Sequence, residues 1–258
     1  MLPAIKKHIP EKYTTYIEPF VGGGAVFLDL QPASAIINDF NAELINVYRV
    51  IKNQPDALIN DLKKHINEPD YFYQIRALDR SGQFDMLSDV EKASRIIYLN
   101  KTCYNGLYRV NRSGKFNAPF GKYKKPNIVN EPTIRAVSTY LRENNIQMLN
   151  KDFNAVLKEI DQDSFVYFDP PYHPISKSSS FAGYVQNGFN KTEQERLKET
   201  CDMLDKKGIR FLLSNSSTEF IHSLYANYNI ICVKANRFVN SIANKRGVID
   251  EVLVKNYE

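Results

Sequence analysis

Apolar residues along this chain follow two rhythms, and the change between them predicts the architecture. Tyr16–Val21 is a short apolar run that stops at Gly22-Gly23-Gly24, and the apolar segment Ala25–Leu30 follows at once. That order spells strand, glycine turn, helix. Ala35–Asp39 is a second strand ending on an acid, and Leu44, Ile45, Tyr48 and Ile51 then recur at helical spacing through Ala42–Lys52. Two such units in succession predict an α/β domain with a largely parallel sheet. From Gln54 to Leu141 the pattern turns helical and charged, then passes through Asn105-Gly106, Ser113-Gly114 and Phe120-Gly121, which reads as loop and hairpin. Alternation resumes with a strand at Ile146–Asn150, a helix at Asn154–Ile160 and a strand at Phe165–Phe168. Helices at Lys191–Lys206 and Ser217–Ala226 and strands at Ile209–Leu213, Ile230–Val233 and Val248–Lys255 complete the pattern. Residues 1–53 and 142–258 are therefore expected to form one domain, interrupted by a second at 54–141.

With 258 residues the chain can bury a large core. No stretch approaches the ~20 apolar residues of a membrane span, and Met1–His8 lacks the apolar centre of a secretory signal, so a cytoplasmic protein is expected. Cys103, Cys201 and Cys232 are odd in number and far apart, and His8, His65, His173 and His222 are scattered. Neither a disulfide framework nor a protein-bound metal is indicated.

The net charge of +5 conceals a strong asymmetry. Between Glu91 and Glu131 there is no acid, yet nine basic residues fall there: Lys92, Arg95, Lys101, Arg109, Arg112, Lys115, Lys122, Lys124 and Lys125. The rest of the chain holds 25 basic against 29 acidic residues, a net −4. A charge run alone is most simply a solvated face. Interleaving with Tyr104, Tyr108, Phe116, Phe120 and Tyr123 points instead to a polyanion that is also stacked upon, namely nucleic acid.

Three strand ends carry the candidate chemistry. Glycines between a strand and a helix let a ligand approach backbone N–H groups. A nicotinamide-dinucleotide turn needs a third glycine where Phe27 stands, and no Gly-Lys-Ser/Thr follows for a Walker-type phosphate site. Asp39, seventeen residues after Gly22, is placed to accept hydrogen bonds from a ribose. A ligand with a ribose and no pyrophosphate fits best, and S-adenosylmethionine is one; a plain strand–helix connection is the simpler alternative. Asp152 follows the next strand and would either meet an adenine amino group, with Phe153 packed on the ring, or cap the helix after it. Ser164–Phe168 ends on Asp169-Pro170-Pro171-Tyr172. Strand ends of open α/β sheets face the ligand crevice, and two prolines stiffen the turn. A carboxylate, a fixed carbonyl and a stacking ring form a receptacle for a planar group bearing an exocyclic amine.

Taken together, Glu18-Pro19-Phe20-Val21-Gly22-Gly23-Gly24, Asn38-Asp39-Phe40-Asn41, Asn105–Asn111 continuing to Phe116–Gly121, and Asp169-Pro170-Pro171-Tyr172 resemble the Dam-type DNA adenine-N6 methyltransferases, the D12 class that includes GATC-specific and type II restriction-modification enzymes. Ser214-Asn215 and Glu251–Tyr257 also look like that family. The resemblance implies a class I S-adenosylmethionine-dependent methyltransferase fold: a Rossmann-like, mostly parallel sheet with an antiparallel C-terminal strand, plus an inserted target-recognition domain. It implies double-stranded DNA as partner, and Glu18, Phe20, Gly22, Gly23, Gly24, Asp39, Asp152 and Phe153 as the lining of the S-adenosylmethionine pocket. Asp169, Pro170, Pro171 and Tyr172 would hold a flipped adenine. Tyr104 and Asn105 would wedge into the base stack, Leu107, Arg109 and Pro119 would contact bases, and Asn111, Arg112 and Lys122 would complete the DNA surface. In the loop Ser176–Tyr184, Phe181 and Tyr184 would pack over the adenine. A cognate restriction endonuclease would share the site without direct contact.

The family usually begins with a Lys-Trp-x-Gly-Gly-Lys segment before a Leu-Leu-Pro helix. Here Met1-Leu2-Pro3 opens the chain, which holds no tryptophan. A second reading is therefore a DNA-binding protein with a methyltransferase fold, inactive or weakly active for want of that clamp. A third is methylation of another amino group, on cytosine N4, RNA or a protein amide, which the recognition hairpin argues against.

Overall fold

A computed structural model describes residues 1–111, 113–158, 160–175, 189–236 and 248–258. The elements in chain order are α1 (Leu2–Lys6), β1 (Tyr16–Glu18), α2 (Ala25–Leu30), β2 (Ser34–Asn38), α3 (Ala42–Asn53), α4 (Pro55–Leu62) and α5 (Pro69–Ala77). Next come α6 (Gln83–Met86), α7 (Asp89–Thr102), α8 (Glu131–Glu143), β3 (Asn145–Leu149), α9 (Phe153–Val156) and β4 (Phe165–Phe168). α10 (Lys191–Lys206), β5 (Arg210–Ser216), α11 (Glu219–Leu224), β6 (Asn229–Asn236) and β7 (Val248–Lys255) complete the chain. The seven strands form one sheet in the order β3-β2-β1-β4-β5-β7-β6. β1 runs parallel to β2 and β4, and β4 parallel to β5, whereas β7 is antiparallel to both β5 and β6. This is the α/β architecture expected of a class I methyltransferase, with its antiparallel C-terminal strand.

The chain falls into two compact units. The first holds Met1–Asp39 and the described residues from Lys151 onward. β4 lies at its centre because Phe165, Val166, Tyr167 and Phe168 are apolar on both faces, which suits a parallel strand covered on both sides. Ile17, Phe211–Leu213 and Val252–Val254 flank it as buried strand residues.

The second unit spans Phe40–Asn150. One cluster in its core joins Val47 and Val50 of α3 with Leu58, Ile59 and Leu62 of α4, Ala93 and Ile96 of α7, and Ile134 of α8. A second cluster joins Phe72, Tyr98, Leu99, Cys103, Phe116 and Ala118. α3 is N-capped by Asn41, and α7 opens on a capping box between Ser88 and Glu91. Cys103 and Cys201 are buried thiols and Cys232 is exposed. Among the described residues no helix is long and apolar enough to cross a membrane, and no cluster of His, Cys, Asp and Glu could hold a metal ion.

Candidate active site

Adjacent parallel strands β1 and β4 pair Tyr16 with Phe165 and Ile17 with Val166, so their C-terminal ends emerge side by side. Their neighbours in the sheet, β2 and β5, lie on opposite sides, which makes this pair the switch point of the strand order. Open α/β sheets bind ligands there. The glycine turn leaves one of these ends and Asp169 the other.

The glycine turn is built by its own backbone. Gly22 and Gly24 hold φ of 50° and 68°, the left-handed region that glycine enters without a steric penalty. The Gly24 N–H donates to the Val21 carbonyl at 2.7 Å, and the Gly22 N–H donates to Asp39 Oδ2 at 3.0 Å. Asp39 therefore braces the turn, and it is buried. Asn38 ties three segments, donating to the carbonyls of Pro19 and Lys151 and accepting from the Lys151 N–H. A Cβ placed on Gly23 would meet no atom within 4 Å, so this stretch of backbone faces open space.

Phe20 packs 5.2 Å from Phe153 and edge-on to Phe189 at 5.6 Å. Phe153 is itself buried, with the Arg196 guanidinium 4.3 Å over its ring. Phe20 is consequently the more accessible of the two rings. Asp152 caps α9 through the Asn154 N–H at 3.0 Å, and its other oxygen takes Arg196 Nη2 at 2.6 Å. Glu18 lies behind the turn, buried, with the Tyr16 hydroxyl donating to it at 2.6 Å. Burial raises its pKa well above the usual carboxylate range against that hydrogen bond, and the charge of Asp169 adds to the rise.

Asp169 is reached by solvent although protein atoms surround it, and this loss of hydration raises its pKa. Hydrogen bonds from Ser214 and Tyr172 oppose the rise. Ser214 Oγ lies 2.7 Å from Asp169 Oδ1, and Tyr167 Oη lies 3.1 Å from Ser214 Oγ. The Tyr172 hydroxyl is raised in pKa by burial and by that same carboxylate. The turn beyond is fixed at successive points. Gln194 Nε2 donates to the Pro171 carbonyl at 2.9 Å and Asn215 Nδ2 to Gln194 Oε1 at 3.1 Å. The His173 N–H donates to Asn215 Oδ1 at 2.9 Å, and Ser216 Oγ to the His173 carbonyl at 2.6 Å. Among the described residues none donates to the Pro170 carbonyl. His173 pairs with Thr218 Oγ1 through Nδ1, and burial followed by nearby Lys191 lowers its pKa, which favours the neutral ring.

Ser214 and Asn215 are visible in the sequence as a motif without a role, and Gln194 was not singled out. Its signal is positional: Gln194 falls on the stripe of α10 that buries Leu197, Thr200, Cys201 and Leu204. A polar residue on an apolar stripe must find a buried partner.

The second unit presents the hairpin. Antiparallel bridges join Cys103 to Phe120 and Val110 to Phe116. Asn111 closes the tip, its Oδ1 accepting from the N–H groups of Ser113 and Lys115. Tyr104 and Pro119 are exposed neighbours joined by the Tyr104 N–H to Pro119 carbonyl bond at 2.8 Å. Asn105 and Lys122, both exposed, hold left-handed φ of 55° and 56°, and Leu107 and Arg109 are half-buried. Arg109 Nε donates to Asn117 Oδ1 at 2.7 Å and its Nη2 to the Asn117 carbonyl at 3.1 Å. Gly121 fits where no side chain could: a Cβ there would stand 2.6 Å from the Cys103 carbonyl oxygen. Arg112 and the loop residues Phe181 and Tyr184 lie outside the described residues.

Charge placement refines the sequence reading. Arg95, one of the nine basic residues, turns inward to pair with Asp79 at 2.9 Å and Glu43 at 3.3 Å. Asp79 also accepts the Phe116 N–H at 2.8 Å, while Arg80 and Arg76 donate to the carbonyls of Phe116 and Ala118. Phe116 is buried, whereas Tyr104 and Tyr123 are exposed.

A family model described as D12 class N6 adenine-specific DNA methyltransferase matches residues 1–239. The chain belongs to that family. This adenine-specific methyltransferase is 44% identical, over its whole length and 91% of the relative, to the type II methyltransferase M1.LlaDCHI of Lactococcus lactis subsp. cremoris. It is 40% identical to the type II methyltransferase M.MjaIII of Methanocaldococcus jannaschii, covering all of this chain and 95% of the relative. A DNA adenine methylase of Salmonella typhi is 32% identical over 98% of this chain and 90% of its own length. These enzyme names favour a methyltransferase over an inactive DNA-binding protein. The family implies S-adenosylmethionine as methyl donor, and the open backbone at Gly23 beside the Phe20 ring suits a ligand with a flat base and a ribose.

Proposed function

We propose that the enzyme methylates N6 of an adenine swung out of duplex DNA, within GATC, in the cytoplasm. The supporting observation is the turn at the end of β4: Asp169, oriented by Ser214, followed by the Pro170 carbonyl, to which no described residue donates, on a turn bonded to Gln194 and Asn215. Adenine N6 is a poor nucleophile because its lone pair is delocalised into the ring, and the duplex hides it. Extruding the base costs a few kcal/mol, which Tyr104 and Asn105 would offset by filling the gap. Asp169 and the Pro170 carbonyl accept hydrogen bonds from the two N6–H groups, localise the lone pair and stabilise the positive charge that develops on nitrogen, and the surplus N6 proton passes to water after transfer. Pro171 keeps the turn stiff and Tyr172 bounds the base.

Bound S-adenosylmethionine supplies a methyl group made electrophilic by its sulfonium. Phe20, the Gly22–Gly24 backbone and Asp39 would hold it, with Glu18, Asp152 and Phe153 supporting that wall. In the second unit Arg109 would read a guanine, Leu107 and Pro119 would contact neighbouring bases, and Asn111, Arg112 and Lys122 would follow the backbone. The division of labour proposed is catalysis by 1–53 with 142–258 and target recognition by 54–141. Relatives named type II methyltransferases support a role beside a restriction endonuclease that shares the site without touching this chain.

Transfer of labelled methyl from S-adenosylmethionine to an unmethylated GATC duplex, with base analysis of the product, tests this reading. N6-methyladenine confined to GATC supports it. Label on cytosine, on RNA, or equally on scrambled duplexes overturns it.

A further inference from the structure

The Arg109–Asn117 pair carries an inference that rests on Arg109 reading a guanine and adds how that reading is kept strict. A guanidinium offers two bidentate edges: a side edge of Nε–H with one Nη2–H, and an end edge of Nη1–H with the other Nη2–H. Asn117 occupies the side edge with two acceptors of one residue, Oδ1 at 2.7 Å from Nε and the main-chain carbonyl at 3.1 Å from Nη2. Its own N–H donates to the Arg109 carbonyl at 2.9 Å, so the two residues face each other across the hairpin as a fixed rung. Among the described residues none bonds the end edge, which is the edge offered to a ligand. We propose that Asn117 is a specificity-determining positioning residue that grips the side edge of Arg109 and leaves only its end edge to meet guanine O6 and N7.

The grip acts in two directions. Opposite guanine it removes part of the ordering cost of a long side chain before DNA arrives. Opposite any other base it prevents the guanidinium from swinging to water or to a phosphate, so the cation is left facing groups it cannot bond. Discrimination then comes from penalising the wrong base as much as from favouring the right one. Loss of the grip is therefore expected to raise activity on variant sites more than it lowers activity on the cognate site.

The test measures kcat/KM on the duplex that the wild-type enzyme methylates and on its single-base variants, for Asn117→Ala, Asn117→Asp, Arg109→Ala and the double variant Arg109→Ala/Asn117→Ala. Asn117→Ala should lose about 3- to 10-fold in discrimination, the equivalent of freeing one rotamer-rich side chain. The loss should fall at the one base pair where Arg109→Ala also loses it. The double variant should be no less selective than Arg109→Ala alone, as coupled residues behave. Asn117→Asp, which keeps both acceptors, should restore the selectivity even if its charge weakens DNA affinity overall. Asn117→Leu, near-isosteric without a side-chain acceptor, runs beside Asn117→Ala so that a packing failure in one does not decide the result; both keep the backbone rung.

A uniform fall in kcat/KM across all duplexes with unchanged discrimination would make Asn117 a sequence-independent contact and overturn the grip. Loss at a base pair that Arg109→Ala leaves intact, or full additivity in the double variant, overturns it as well. If Arg109→Ala itself leaves discrimination unchanged at every position, the guanine reading fails first, and the grip with it.

Discussion

The turn after β4 and the hairpin of the second unit are both short, irregular and rich in polar side chains, yet they are held by different means. The turn is bolted by neutral groups in the buried wall of β5 and α10: Ser214, Asn215, Ser216 and Gln194, each on a named oxygen or N–H. The hairpin is held by charges, Asp79 gathering Arg95, Arg80 and the Phe116 N–H. Neutral bonds suit a site that must present one ionised acid in a field of low polarity, where further fixed charges would shift its pKa. A charged clamp suits a surface that meets a polyanion, because its cations are already satisfied and do not compete for phosphates. The comparison separates two demands on loops: constancy of electrostatics at the chemistry, constancy of position at the reading face.

The largest expected break is on the chemical side. Asp169→Ala should lower methyl transfer by about 10²–10³-fold or more, the scale for removing one group that stabilises developing charge. Binding of the duplex should persist, as measured by label transfer against a gel-shift titration; an active variant would sink the role given to Asp169. On the other side, Asp79→Ala leaves Arg95 as a buried cation with only the partly exposed Glu43 opposite, and a broken buried pair costs about 3–5 kcal/mol. Faster amide exchange at Phe116 with slow exchange retained along β4 and β5 is the expected signature. Equal loosening of both regions would deny the hairpin its separate anchor.

Ser214→Ala sharpens the comparison through pH. On the proposed mechanism methyl transfer uses ionised Asp169, so activity is lost as pH falls through its folded pKa. Burial sets that pKa above the ordinary aspartate value and Ser214 pulls it down. Removing the hydroxyl should move the acid limb of the kcat/KM profile to higher pH and lower kcat/KM by about tenfold at neutral pH, as for a hydrogen bond to a charged group. The same sign governs stability. The folded acid holds its proton more tightly than the unfolded one, so ionisation costs stability as pH rises through that window. Asp169→Asn should therefore be at least as resistant to denaturant at neutral pH as the wild type. Arg109→Ala is the mildest break in absolute turnover, relaxing base choice at one position by about 1–3 kcal/mol. Unchanged selectivity across single-base variants would count against it.

Much of this was legible in the sequence, for reasons that differ by region. Strand β4 and helix α10 were read to the residue because a continuous apolar run and a long amphipathic stripe are strong local signals. The α9 helix is shorter than Asn154–Ile160 suggested, ending at Val156. α3 carries a core stripe, but periodicity cannot say what it faces; in the structure it packs on α4, α7 and α8. The Asp169 turn announced itself through its prolines, whereas the groups that hold it stand about 25 and 45 residues away and become visible only once β4 and β5 pair. Arg95 looked like surface charge because nothing local distinguishes an arginine that will meet Asp79 from one that will meet water.

The close approach of Gly121 to the Cys103 carbonyl has a practical reach beyond this fold. On the proposed reading, anyone retargeting the enzyme to a new DNA site would randomise the face that carries Leu107, Arg109 and Pro119, and the temptation is to include the residues between and after them. Position 121 accepts no Cβ without moving the backbone that aims Tyr104. A library that spares it varies what the hairpin reads; one that does not varies whether there is a hairpin at all.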